Sequence, residues 1–231
     1  MQAAILAGGL GTRLWPLTKT VPKPMVPVAG APYLEHQLRL LGKQGIREIL
    51  LLTGYLGEQI EEHFGDGSRM GLRIEYSREE APLGTGGALR LASSLLSDSF
   101  LLIYGDSYLP IDYTVPLRKL EASDAQGLLV VYDNREADTT VKNNVDIDDS
   151  FHVTRYEKDS PQPLSYVEAG VLAFRRSMVE TIASQRPVSL EKEIFPRLIP
   201  GRQLIAHVTA QRFYDIGTPD RLKVIEELLR Q

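Results

Sequence analysis

The stretch Ala3-Ala4-Ile5-Leu6-Ala7-Gly8-Gly9-Leu10-Gly11-Thr12-Arg13 runs from an apolar segment straight into three glycines within four residues. The apolar part, Ala3 to Ala7, reads as a buried strand closed by breaker residues. Glycines remove the side chains that would keep a ligand off the backbone, and the freed N–H groups can form a concave anion site. Arg13 adds a planar fork of donors suited to phosphate. Lys23, clamped between Pro22 and Pro24, adds a mobile point charge. A glycine turn alone is as well explained as a tight turn; the two cations behind it favour a polyphosphate cradle. The P-loop pattern is absent. The dinucleotide fingerprint fails because its third glycine would fall on Leu14, which weakens a nicotinamide-dependent dehydrogenase as a reading.

Outward from that turn, strands and helices alternate. The periodicity predicts a helix over Pro32 to Lys43, a strand over Arg47 to Thr53 and a short helix over Leu56 to Phe64. A strand over Leu72 to Ser77, a helix over Gly86 to Leu96 and a strand over Phe100 to Tyr104 follow. Such alternation indicates parallel βαβ units with right-handed crossovers. The second half is richer in strands: Gly127 to Tyr132, Asn144 to Asp148, Phe151 to Glu157 and Val167 to Phe174, with a hairpin turn at Asp148-Asp149-Ser150. Helices are expected over Arg176 to Ser184, over Leu190 to Leu198 capped by Ser189, and over Thr218 to Arg230 capped by Thr218. Strands over Leu204 to Val208 and Arg212 to Asp215 lie between them. The chain reads as one α/β domain, residues 1–231, in two halves of about 1–112 and about 113–231.

Bulk properties narrow the function. Of 231 residues, 43% are hydrophobic and 24% charged, which suits a globular protein with a sizeable core. A formal net charge of −4 offers no global field to attract nucleic acid, so no nucleic-acid partner is expected, and an anionic substrate must be held by local cations. The absence of cysteine excludes disulfide and thiolate chemistry. No leader segment and no apolar run near 20 residues is visible, so a cytoplasmic protein without a membrane partner is the expectation.

Ala7-Gly8-Gly9-Leu10-Gly11-Thr12-Arg13-Leu14, followed by Pro16-Leu17-Thr18 and Pro22-Lys23-Pro24-Met25, resembles the signature of sugar-1-phosphate nucleotidylyltransferases, the enzymes that make nucleotide sugars. The resemblance implies a Rossmann-like three-layer α/β/α fold with a mostly parallel central sheet and a small β-rich extension on the acceptor side. It puts Leu6, Ala7, Gly8, Gly9, Gly11, Thr12 and Arg13 on a nucleoside triphosphate and Lys23 on its phosphates. Asp106 ends a strand, where ligands of open parallel sheets gather, and suits a hard cation; a turn aspartate is the plainer alternative, and the resemblance favours Mg²⁺. Asp215, in Phe213-Tyr214-Asp215-Ile216-Gly217-Thr218, matches the family's second metal carboxylate, with helix capping as its alternative. Pro82-Leu83-Gly84-Thr85-Gly86-Gly87-Ala88 is a second glycine turn that opens a helix. In the family it meets the base and ribose, which assigns Gly84, Thr85 and Gly86; Glu79 and Glu80 before it stay unassigned.

On the acceptor side Glu157-Lys158 is similar to the family's Glu-Lys, whose lysine meets the sugar phosphate and whose glutamate meets hydroxyls. Val167-Glu168-Ala169-Gly170-Val171 is similar to its Asn-Ala-Gly-Ile segment, with Glu168 in place of asparagine and Gly170 lining the pocket. Asn144 is assigned to the acceptor, with a surface loop as the alternative for it and Asn143. Trp15 either packs the loop down or covers the nucleotide, and the four histidines show no ligand spacing. The implied reaction is Mg²⁺-dependent transfer of a nucleoside monophosphate from a triphosphate to a sugar 1-phosphate, with a homodimer left open. GTP with heptose or mannose 1-phosphate resembles this chain best. UTP with an amino-sugar phosphate is the alternative, through Gly65-Asp66-Gly67-Ser68-Arg69, and cytidylyl and thymidylyl relatives stay open. A non-catalytic sugar-nucleotide sensor is the alternative of another class. No left-handed β-helix is expected after the last helix.

Overall fold

In the computed structural model of the chain, which describes residues 1–184 and 186–230, the opening apolar run is strand β1 (Gln2–Leu6). Ala3, Ala4 and Ile5 are fully buried, as a strand covered on both faces requires. Strands β2 (Pro27–Val28) and β3 (Ala31–Pro32) form a small hairpin before helix α1 (Tyr33–Lys43). Then come β4 (Glu48–Thr53), α2 (Gly57–Phe64), β5 (Arg73–Arg78), α3 (Gly84–Leu91), β6 (Ser99–Tyr104), β7 (Ser107–Tyr108) and α4 (Thr114–Glu121). The second half holds β8 (Gly127–Tyr132), β9 (Val145–Ile147), β10 (Val153–Tyr156), β11 (Val167–Arg175) and α5 (Arg176–Glu180). A π-helical turn (Leu190–Ile194) runs into α6 (Phe195–Leu198), and β12 (Leu204–Thr209), β13 (Tyr214–Asp215) and α7 (Pro219–Leu229) follow.

The main sheet has seven strands in the order β12-β8-β11-β6-β1-β4-β5. Pairs β1–β4, β1–β6, β4–β5 and β8–β12 are parallel, and β11 is antiparallel to both its neighbours, β6 and β8. Alternation along each strand sends side chains to two cores. One holds Ile5 of β1 with Leu34 and Leu38 of α1, Ile60 of α2 and Leu117 of α4. The other holds Ala4 with Leu89 of α3, Met178 of α5 and Phe195 of α6. The result is the three-layer, mostly parallel arrangement expected from the sequence.

Several boundaries differ for local reasons. The helix expected from Gly86 starts at Gly84 and ends at Leu91, with a separate 3₁₀ turn at Ser93–Leu95. The helix expected to reach Ser184 stops at Glu180, and the one over Leu190 to Leu198 is π-helical in its first turn, with the Ser189 side chain accepting from the Lys192 N–H. Helix α4 has no counterpart in the sequence reading, which Pro116 obscured. A proline in the first turn loses no hydrogen bond there, and the Asp112 carboxylate caps the helix by accepting from the Thr114 N–H and hydroxyl. The β9–β10 hairpin turns as expected: Asp148 accepts from the N–H groups of Ser150 and His152. Phe151 leaves the strand there with φ 61°, so β10 begins only at Val153.

Candidate active site

The carboxyl ends of β1 and β6 lie side by side, with Leu6 opposite Tyr104. Gly105 continues this contact by donating its N–H to the Leu6 carbonyl at 3.0 Å; a Cβ at Gly105 would fall 2.4 Å from that oxygen, so the chains can approach only without one. Beyond β1 the glycine turn is pinned from behind. The Thr18 hydroxyl donates to the Gly11 carbonyl at 2.8 Å, and Gly11 has φ +62°. The turn forms one wall of a cleft of about 550 Å³. Leu6, Ala7, Gly8, Gly9, Gly11, Thr12 and Arg13 line it together with Lys23, Gly84, Thr85, Asp106 and Lys158. Twelve of the residues singled out in the sequence thus meet in one cavity.

Charge in the cleft is arranged in two pairs. The Lys23 Nζ donates to Asp106 Oδ2 at 2.5 Å, with the two side chains 12% and 30% exposed. Burial alone would raise the Asp106 carboxyl; Lys23, with Arg13 behind it, outweighs this and holds it below its usual value. In the second pair Lys158 Nζ lies 3.3 Å from Glu191 Oε1. Glu191 also accepts from the hydroxyls of Thr85, Tyr104 and Ser189 at 2.9, 2.9 and 2.8 Å. Desolvation works against its charge, but Lys158 and these donors bring its carboxyl down to about 2. Glu191 therefore ties the nucleotide-side helix α3 to the lysine assigned to the acceptor.

Sequence reasoning missed Glu191, because an acidic residue in the first turn after a serine cap looks like ordinary helix-end chemistry. It also left Glu79 open. Glu79 lines the cleft, accepts the Leu83 N–H at 2.9 Å, and has its carboxyl raised by partial burial. Its position before a second glycine turn was the available signal.

Six assigned residues stand apart from the cleft lining: Gly86, Glu157, Asn144, Gly170, Glu168 and Asp215, the last lining a separate, smaller pocket with Arg221. Gly86 is buried behind Gly84 and Thr85, its N–H spent on the Val188 carbonyl at 2.8 Å. Glu157 is about half exposed and pairs with Arg155 at 3.0 Å. Asn144 is buried and accepts the Glu168 N–H at 2.8 Å, so it braces β11 rather than facing solvent. Gly170, at φ +78°, lies against the Ser107 hydroxyl, where a Cβ would come within 2.2 Å. Glu168 sits between these: it is 8% exposed and accepts the Gly170 N–H at 2.6 Å. Burial pushes its carboxyl up to about 8; the Gly170 N–H and Lys158 pull it down, while Glu191 and Asp106 raise it further.

Asp215 lies one step across a two-stranded ribbon from Asp106. β13 pairs with β7, Asp215 opposite Ser107, and the Ile216 N–H donates to the Asp106 carbonyl at 3.1 Å. Its carboxylate is engaged elsewhere, with Arg221 at 3.2 Å and the Gly217 N–H at 2.6 Å. A Cβ on Gly217 would lie 3.6 Å from the Arg13 guanidinium, so Arg13 spans from the glycine turn to this ribbon. Among the described residues no group of three or more histidine, cysteine or acidic side chains is clustered as a metal cage. Two hard carboxylates on adjacent strand ends do fit a cation that takes its remaining ligands from water and substrate phosphates, as Mg²⁺ does.

Trp15 is 53% exposed with the Lys19 ammonium 5.2 Å from its ring centre, and it is not among the residues lining the cleft. The histidines lie elsewhere: His36 on the Val28 carbonyl, His63 near Glu35, His152 beside Arg202 and His207 beside Lys119. No helix among the described residues is long and apolar enough to cross a membrane.

Residues 2–231 match the family model described as nucleotidyl transferase. A mannose-1-phosphate guanylyltransferase of Mycobacterium tuberculosis is 36% identical over 95% of this chain, which spans 62% of that protein's length. A D-glycero-alpha-D-manno-heptose 1-phosphate guanylyltransferase of Campylobacter jejuni is 33% identical, covering 95% of this chain and 96% of that one. Among solved structures, HddC from Yersinia pseudotuberculosis complexed with GMP-PN superposes with a TM-score of 0.83 at 28% identity, covering 99% of both chains.

Proposed function

The chain belongs to the nucleotidyl transferase family, and from that premise we propose that it transfers a nucleoside monophosphate from a triphosphate to a sugar 1-phosphate. The observation that carries this reading is the pairing of two cation groups in one cleft. A glycine turn with Arg13, Lys23 and Asp106 and a second cation, Lys158, paired with its own carboxylate, Glu191, line the same cavity. One group suits a triphosphate and the other a second phosphate.

A phosphate oxygen of the sugar 1-phosphate attacks the α-phosphorus, the bond to the β-phosphate oxygen breaks, and pyrophosphate leaves with the electron pair. The nucleophile is already an anion, so no general base is required. The barrier lies in bringing two polyanions together, and positioning with charge neutralisation lowers it. Arg13 and the N–H groups of the glycine turn hold the triphosphate. Lys23 leaves its pairing with Asp106 for the phosphates when they arrive. Lys158, oriented by Glu191, holds the acceptor phosphate in line with the α-phosphorus. Asp106 and Asp215 would hold Mg²⁺, which when bound supplies neutralisation of the phosphate oxygens.

The base we assign is guanine. The relatives named above support it, and so does the carboxylate of Glu79 on the cleft wall beside Gly84 and Thr85. Guanine presents N1–H and N2–H₂ side by side, a donor pair that a carboxylate accepts and that uracil, thymine and cytosine do not offer together. Heptose and mannose 1-phosphate are the acceptors to try first, on the names of the same relatives. A pyrophosphate-release screen of five triphosphates against a panel of sugar 1-phosphates tests both assignments. Asp106→Asn should lower turnover at least ~100-fold with an unchanged circular dichroism spectrum. Near-normal Mg²⁺-dependent release by that variant would refute the site.

A further inference from the structure

Helix α1 carries two buried polar side chains, one turn apart, beneath the strand ends that bear Asp106 and Asp215. The Gln37 amide nitrogen donates to the carbonyls of Tyr104 at 2.9 Å and Ser107 at 2.5 Å, and so grips the backbone on either side of Gly105-Asp106. Tyr33 is fully buried, and among the described residues its hydroxyl has no hydrogen-bond partner. It shares a buried cluster with Val28, Ile225 and Ile216, the residue after Asp215. Burial first, then the charges of Asp106 and Asp215, hold the phenol far above its usual value. A buried hydroxyl with nothing to donate to is uncommon and calls for a partner absent from this state.

Asp215 is the acceptor to consider for such an exchange, since Ile216 beside it shares the buried cluster of Tyr33. Its present partner, Arg221, does not depend on it. The Arg221 Nε and Nη2 also donate to the Thr140 hydroxyl at 2.9 Å and carbonyl at 2.7 Å, so the guanidinium stays satisfied if the carboxylate turns away. Asp106 is neutralised in parallel by Lys23. Each carboxylate thus holds a side-chain cation in the metal-free chain and must give it up to bind a metal.

We propose that Tyr33 is the positioning residue of the second metal carboxylate, its hydroxyl donating to Asp215 once Asp215 has left Arg221 for the metal. This rests on the divalent-cation reading above. Outer partners fix the rotamer of a ligating group, and losing one commonly lowers metal affinity 10–100-fold. The metal-free chain makes no use of the hydroxyl, which separates this role from packing.

The test is Tyr33→Phe, with Mn²⁺ as the probe. Free Mn²⁺ is measured by electron paramagnetic resonance in the presence of α,β-methylene GTP, which cannot release pyrophosphate. The melting temperature of the metal-free protein is recorded in parallel. Mn²⁺ affinity should fall at least ~10-fold while the metal-free melting temperature stays level or rises. Equal Mn²⁺ affinity in the two proteins overturns the proposal, and so does weaker binding accompanied by a drop in melting temperature. Asp106→Asn serves as the control. A wild-type protein that holds Mn²⁺ no better than this variant refutes the cation reading itself, and the proposal falls with it.

Discussion

Glu168→Gln is expected to become progressively more stable than the wild type as pH rises from about 4.5 to about 8. The carboxyl is 8% exposed, and its charged form would face Glu191 and Asp106 as well as Lys158, beside the phenols of Tyr104 and Tyr156. In the native protein it keeps its proton up to about 8, whereas in the unfolded chain it loses it near 4.5. Between those values the native state binds one proton more than the unfolded state. Wild-type stability therefore falls with pH, by about 1.4 kcal/mol per pH unit, and levels off above the window. The whole window bounds the effect at about 5 kcal/mol, and relaxation around a buried carboxylate brings the measurable part to about 2–4 kcal/mol. Glutamine keeps an oxygen for the Gly170 N–H but has no proton to lose. Urea unfolding of both proteins at pH 5, 6, 7, 8 and 9 gives the difference directly, and groups common to both cancel. A difference that does not change with pH would show that Glu168 ionises as an ordinary carboxylate and would refute the reasoning. Glu191 cannot produce the same trend. Its lowered carboxyl contributes stability that is complete above 4.5 and lost only as pH falls towards about 2.

Lys158→Met should raise KM for the sugar 1-phosphate by ~10–150-fold, the worth of a charge-assisted hydrogen bond, with triphosphate affinity within threefold of wild type; equal losses for both substrates would reassign the lysine. Glu79→Gln should narrow the preference for GTP over other triphosphates by at least ~10-fold in kcat/KM, because an amide cannot accept from both guanine donors; an unchanged preference would remove Glu79 from base recognition. Gly105→Ala should destabilise the protein by about 2–4 kcal/mol in denaturant unfolding, since its methyl group would press on the Leu6 carbonyl and separate β1 from β6; a neutral effect would mean that the strand ends are slack.

The α/β class and the glycine-and-cation part of the cleft were legible because their signals are local. The end of an apolar run, three glycines, Arg13 and Lys23 lie between Leu6 and Lys23, and they line the cleft together because they are close in the chain. The acceptor part was harder. Glu191 draws its meaning from Thr85, Tyr104 and Lys158, at separations of 106, 87 and 33 residues, and no periodicity reports such contacts. Tyr33 and Gln37 were hidden differently: the periodicity gave the helix over Pro32 to Lys43 but singled out neither side chain, and both are buried. Asp215 was placed correctly at a strand end, but the chain does not say that Arg221, six residues later, occupies its carboxylate.

The antiparallel strand between β6 and β8 has a consequence for synthesis. β6 is made by residue 104, and its second neighbour, β11, is not complete until residue 175. For the seventy residues between, the run Phe100-Leu101-Leu102-Ile103 has a bare edge in any nascent or truncated chain. Unpaired apolar edges recruit other strands. Chains released before β11 should therefore aggregate rather than persist as a folded nucleotide-binding half. The ribbon that brings Asp215 beside Asp106 closes later still, since β13 cannot pair with β7 until residue 215 has emerged.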